Sequence, residues 1–157
     1  GLKVYPAWKG GGTVRLVLLD QGKRKPTVTE LAELQKEIDP ESKGEGYGIA
    51  PIGHRVTVHG AAEVLCQITI RLSVAEGTTT DTVLSELQER FRDYFEELRN
   101  SWADSDFLTV RSSRLESRAL EIHGVVDVFD CSINGGSGNL ILEADEIPVL
   151  GNIEVRR

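Results

Sequence analysis

Three histidines, two cysteines and scattered carboxylates are the side chains of this 157-residue chain that have the types for chemistry. His54 and His59 bracket HRVTVHG, which reads as a strand. An odd separation on a strand turns two side chains to opposite faces, so one metal ion cannot take both without a bulge. His123 falls at the predicted end of a helix, where the dipole favours a partly charged imidazole at the surface. Asp104 and Asp106 in SWADSDF have the look of a calcium loop, but the third acidic position, the central glycine and the closing bidentate glutamate are missing. A solvated loop fits those residues better. Ser113 and Ser117 lie on a predicted helix with no histidine placed as base, which leaves nucleophilic catalysis nothing to rest on.

The glycine clusters point the same way. A phosphate cradle needs its glycines to run into a helix N-terminus. Gly10-Gly11-Gly12 runs into a strand, and Gly135-Gly136-Ser137-Gly138 joins two strands, so both read as turns. Lys23-Arg24-Lys25 is a single basic turn without interleaved aromatics, too little for nucleic acid. Cys66 and Cys131 sit inside apolar alternation and are too few for a disulfide framework; they read as buried, reduced thiols. The residues therefore nominate no catalytic group, no cofactor and no metal.

The elements that carry these residues are easier to read. TVRLVLL (residues 13–19) is a β-branched strand. Thr27 followed by Glu30 forms a capping box, and Val28, Leu31, Leu34 or Gln35, and Ile38 give the helix one apolar face before Pro40 ends it. HRVTV then returns as a strand, completing a β-loop-α-loop-β unit of about the minimum size for a parallel crossover. A long strand over residues 62–75 puts Val64, Cys66, Ile68, Ile70 and Leu72 on one face. Thr80 or Asp81 caps the longest helix, about 81–100, whose stripe is Leu84, Leu87, Phe91, Phe95 and Leu98. Ser113 and Glu116 form a second capping box, with Gly124 as that helix's C-cap. Residues 125–133 and 139–142 are read as a hairpin, and 152–156 as a closing strand.

Charge divides the chain near Gly60. Residues 1–60 hold nine basic and seven acidic side chains, residues 61–157 nine and eighteen, and every lysine lies at or before Lys43. The expected fold class is α+β: two small modules, each a short mixed sheet with helices packed on one face. The predicted modules are residues 1–60, of βαβ type, and 61–157, with the long helix and the C-terminal hairpin. An acidic second module should repel nucleic acid and anionic membranes. No run reaches the ~18 apolar residues of a membrane-crossing helix. A chain without methionine that opens on Gly1 reads as a piece of a longer protein, with an N-terminal portion missing.

Two segments are marked most strongly: GYGIAPIGHRVTV (Gly46 to Val58) and EADEIPVLGNIEV (Glu143 to Val155). Each sets an apolar-proline bend before a glycine and an alternating strand, which reads as a chain turning rigidly into a sheet. Together with FRDYFEELRNSWADSD, RSSRLESRALEIHGVVDVFDCSINGG and NLILEADEIPVLG between and around them, they resemble the C-terminal region of the phage baseplate J-like family, the XkdT-like proteins of PBSX-type prophages. The similarity runs from about Trp8 onward. It implies a structural, non-enzymatic component of a contractile prophage tail baseplate. Such a component would act in wedge assembly, contacting copies of itself and neighbouring baseplate proteins around a sixfold ring. It would be assembled in the host cytoplasm and reside in the virion. The residues alone leave open a small-molecule-binding regulatory α+β module, and a hydrolase using His54 or His59 with a carboxylate. For an assembly role the expected contacts are apolar residues outside regular elements. Trp102, Ile147 and Pro148 come first, then Trp8 and Tyr47, in a set that also includes Ile49, Ile52, Phe107 and Val149. Trp102 has a second reading, as a lid on the end of the long helix.

Overall fold

A strand that the sequence does not announce comes first. Leu2–Pro6 (β1) pairs antiparallel with Thr13–Leu18 (β2), with Leu2 opposite Leu18 and Val4 opposite Leu16. The helix α1 (Val28–Ile38) carries the chain over to Arg55–Gly60 (β3), which lies parallel to β2 with Leu16 opposite Val58. The crossover is thus the expected β-α-β unit, and β1 makes the sheet mixed, in the order β1-β2-β3. The structure, a computed structural model, describes residues 1–157 and divides into two units, Gly1–Ala62 and Glu63–Arg157.

In the first unit Thr27 and Glu30 form the reciprocal capping box. The apolar face of α1 differs from expectation at one end: Val28 is 85% exposed. Leu31, Leu34, Gln35 and Ile38 are partly buried, and Gln35 is the unusual member. Its amide donates to the Val56 carbonyl (2.8 Å) and accepts from the Val58 N–H (2.8 Å). Asp39, buried just past the helix, accepts from the N–H groups of Val56 (2.9 Å) and Gly44 (3.0 Å). Two side chains therefore pair the outer edge of β3, as a neighbouring strand would. An edge satisfied in this way is closed to strand addition.

The second unit is built on a larger apolar core. Ala62–Val74 (β4) buries Cys66, Ile68, Ile70 and Leu72 on one face, as its alternation requires. Thr80–Asn100 (α2) is capped by Thr79, one residue before the expected cap, whose hydroxyl accepts from Thr82 N–H. The stripe is also turned from the expected one. Val83, Leu87, Phe91, Tyr94 and Phe95 are buried, while Leu84 and Leu98 are only partly so. Tyr94 joins the stripe with its hydroxyl satisfied: it accepts from the Arg111 N–H at 3.0 Å.

Thr109–Val110 (β5) leads into Ser112–Leu120 (α3), which begins at Arg111 without a side-chain cap; the Ser113–Glu116 box does not form. Gly124 lies beyond the helix end, at φ +92°. The hairpin is also different. Val125–Ile133 (β6) turns through Asn134 and Gly135 onto the short strand Gly136–Ser137 (β7), while Leu140–Ile141 (β8) pairs with β5. Glu146–Arg156 (β9) completes the main sheet, in the order β7-β6-β4-β9. With β3 and its helix, and with this sheet and α2 and α3, the chain is α+β, two small sheets with helices packed alongside.

Candidate assembly surface

The histidines do not converge. His54 is exposed ahead of β3, His59 lies on β3 with its ring edge-on to Trp8 (5.9 Å), and His123 is exposed after α3. No group of three or more His, Cys, Asp or Glu side chains is placed to hold a metal ion. Asp104, Asp106, Ser113 and Ser117 all face solvent. Both cysteines are free and buried. Burial pushes the Cys66 thiol up to about 11 and the Cys131 thiol to about 12, the latter helped by Glu116 and Asp130. Neither is a thiolate near neutrality.

The apolar residues expected at contacts separate into two kinds. Trp102, Ile147 and Pro148 are buried, which corrects the expectation that they stand out from the surface. Trp102 has no exposed surface, and its indole N–H donates to the Ala144 carbonyl at 3.1 Å. Arg99, at the end of α2, donates to the Pro148 carbonyl at 3.0 Å. Trp102 is therefore the lid on the helix end, and the EADEIPVLG segment is folded against it. The aromatic has a hydrogen-bond partner inside its own unit, so burial satisfies both its ring and its polar handle.

The other kind stays in solvent. Tyr47, Ile49 and Ile52 are 82%, 72% and 79% exposed. They belong to the loop between α1 and β3, which is held firmly. Its backbone takes over the orphan carbonyls at the end of α1: Ile49 N–H donates to Glu37 and Ala50 N–H to Ile38, at 3.0 and 2.9 Å. Gly48 makes this possible, because a Cβ there would lie 2.4 Å from the Ile38 carbonyl oxygen. At the loop's start Glu41 and Ser42 both adopt positive φ (+57° and +55°), a costly conformation for such residues. Asp39 fastens the corner through Gly44. The result is a rigid platform that turns three large apolar side chains outward. Trp8 is intermediate: half-buried, with the Arg15 guanidinium 5.7 Å from its ring and Lys9 on it at 4.5 Å. Trp8, Tyr47 and the inward position of Gln35 are legible in the sequence, whereas the edge-sealing bonds of Gln35 and the role of Asp39 have no local sign there.

Residues 66–156 match the Baseplate J-like protein C-terminal domain, and residues 1–60 the Baseplate J-like central domain. The chain belongs to the baseplate J-like family. Two Bacillus subtilis (strain 168) proteins are similar to this baseplate J-like chain along 98% of its length. One is the phage-like element PBSX protein XkdT, 31% identical, and the other the uncharacterized protein YqbT, 30% identical. The chain spans 42% of the length of each. In fold it is similar to a chain of the cryo-EM structure of the anti-feeding prophage (AFP) baseplate, 6-fold symmetrised. That match has a TM-score of 0.51 and 10% identity, and covers 89% of this chain and 29% of the other. The two family domains together account for nearly the whole chain.

Proposed function

We propose that this chain is part of a baseplate subunit of a contractile prophage tail, and that it works in wedge assembly through contacts with copies of itself and neighbouring baseplate proteins. On this reading the two units act as separate modules that meet near residue 60, and the subunit is assembled in the host cytoplasm and retained in the virion. The observation that carries the reading is the Tyr47-Ile49-Ile52 platform. Large apolar side chains on a rigid loop make good contact anchors, because little conformational entropy is lost when they are covered. A loop kept rigid by helix-end hydrogen bonds and two positive-φ residues, yet left wet, is costly for folding alone and useful for contact.

The test is made in the whole subunit, expressed with its tail genes. Tyr47→Ser with Ile52→Ser should leave the subunit soluble and folded but reduce completed baseplates, counted by negative-stain microscopy. Normal numbers of baseplates from a well-expressed double variant would remove the platform from the assembly surface. Loss of baseplates with the subunit unfolded by circular dichroism would also count against it.

A further inference from the structure

The first unit has a second uncovered apolar region, away from the platform. Register fixes which residues share it. Leu2 lies opposite Leu18, Val4 opposite Leu16, and Leu16 opposite Val58, so these side chains point to one face of the sheet. α1 lies on that face: a Cβ added at Gly60, the partner of Leu18, would point there and meet Leu31 at 3.4 Å. It does not lie centrally. Gln35 reaches past β3 to bond that strand's outer edge, which sets the helix over β3 and β2. A helix about 10 Å across covers roughly two strands spaced ~4.8 Å apart. The β1 side is left open: Leu2 and Val4 are 47% and 53% exposed.

Next to this strip, between the end of β2 with the turn that follows it and the flank of α1, lies a groove of about 610 Å³. Its apolar lining includes Leu18, Leu19, Leu34 and Pro26. Every ionisable residue that lines it is acidic: Asp20, Glu30, Glu33 and Glu37. That is four of the seven carboxylates in a unit whose basic residues outnumber its acidic ones. Asp20 and Glu30 are engaged with local backbone N–H groups, the first with Arg24 and the second with Thr27. Glu33 and Glu37 stand one turn apart along the rim, and neither forms a salt bridge. An apolar floor with a one-signed acidic wall selects for a partner whose own apolar face is flanked by cations.

We infer that the groove between the end of β2 and α1, continued by the exposed β1 strip through Leu2 opposite Leu18, is a docking site for a basic amphipathic helix of a partner protein, laid beside α1 on the uncovered half of the sheet. The helix would put leucine-like residues on Leu2, Val4 and Leu18, and lysine or arginine against Glu33 and Glu37. This site is independent of the Tyr47 platform, so either can fail without the other.

The test uses the whole chain and two short helical peptides of the same amphipathic pattern, one of leucine and lysine, the other of leucine and glutamate. The lysine peptide should bind more tightly, with amide shifts at Val4, Leu18 and Leu34 in heteronuclear NMR. Glu33→Lys with Glu37→Lys should weaken it by about tenfold or more and shift the preference to the glutamate peptide. Val4→Asp, at an exposed position, should weaken the lysine peptide by breaking the apolar β1 strip beside the groove. Three results would overturn the inference. The lysine peptide could bind the charge-reversed variant equally well, or shift only residues after Glu63, which would trace binding to the acidic second unit. The chain could dimerise in sedimentation and become monomeric on Val4→Asp, which would make the occupant a second copy.

Discussion

The two units are stabilised by different means. In Glu63–Arg157 one continuous cluster joins Ile68, Ile70 and Leu72 of β4 to Leu87, Phe91 and Phe95 of α2, Leu115 of α3 and Ile133 of β6. In Gly1–Ala62 the buried apolar residues are few and small, and α1 has no fully buried residue at all. Directed polar bonds take their place: Gln35 and Asp39 on β3, and the 48–50 backbone on the end of α1. A small sheet cannot bury much apolar area, so specific hydrogen bonds must fix its shape. Both units leave six large apolar side chains exposed, but only the first gathers three of them, Tyr47, Ile49 and Ile52, on one loop.

The largest test of this contrast is Trp102→Ala. A fully buried indole with a satisfied N–H should cost about 3–5 kcal/mol when removed. Native-state hydrogen exchange should place the loss first in amides at the C-terminal end of α2 and in the Ala144–Pro148 stretch folded on it. A loss below about 1 kcal/mol would mean that the helix end does not need its lid.

Asp39→Ala comes next and strikes the other unit. It strands the N–H groups of Val56 and Gly44 in a buried setting, at a cost of about 1–3 kcal/mol. The exchange signature should fall on β3 and the 44–54 loop and spare the second unit. Gln35→Leu, which keeps apolar bulk but abandons the strand edge, should resemble it more weakly. If Asp39→Ala proves neutral, polar edge-sealing is not what shapes the first unit.

How far these features could be read beforehand follows the same divide. The second unit's strand β4 and helix α2 announce themselves because burial imposes a period, and the errors there are small rotations. Tyr94 replaces Leu98 in the buried stripe because a phenol can be buried when its hydroxyl finds a backbone partner. Capping by Thr27 was legible because the box is local, and the Ser113–Glu116 box failed because the pattern alone does not oblige the chain to use it. The edge-sealing bonds of Gln35 and Asp39 were not legible, since their partners lie 21 and 17 residues away in Val56. The contact residues divided the same way. A proline bend marks rigid backbone, but whether its neighbours are inside (Ile147) or outside (Ile52) depends on what packs over them, and sequence does not display that.

The two thiols give a smaller, pH-dependent effect in the well-packed unit. Their folded values, about 11 and 12, lie above the ordinary thiol range. Between the unfolded and folded values the unfolded state holds fewer protons, so stability falls as pH rises. The contribution is intact below about pH 8.5, the unfolded value, and is lost progressively as pH climbs toward 11 and 12. A Cys66→Ala, Cys131→Ala variant, although less stable throughout from its cavities, should show a shallower alkaline decline in urea titrations. Native alkylation near neutral pH should be at least ~100-fold slower than in the unfolded chain, since thiolate is scarcer and access is blocked. Equal alkaline slopes, or fast native labelling, would show that the core around β4 opens readily.

The smallest expected effect is the most telling for the platform. Tyr47→Ser with Ile52→Ser removes two large side chains that are about four-fifths exposed. Surface substitutions of this kind usually change stability by no more than about 0.5 kcal/mol. The isolated chain should melt within a degree or two of the parent, which corresponds to that energy for a domain this size. Gly48→Ala is the contrast on the same loop. Its added methyl would meet the Ile38 carbonyl at 2.4 Å, so backbone must move, and a loss of about 1–3 kcal/mol is expected. A silent double variant beside a damaging Gly48→Ala would show that the loop's backbone serves the fold while its side chains do not. Equal damage from both would mean that Tyr47 and Ile52 are packed in solution, and the platform would then have nothing left to offer a partner.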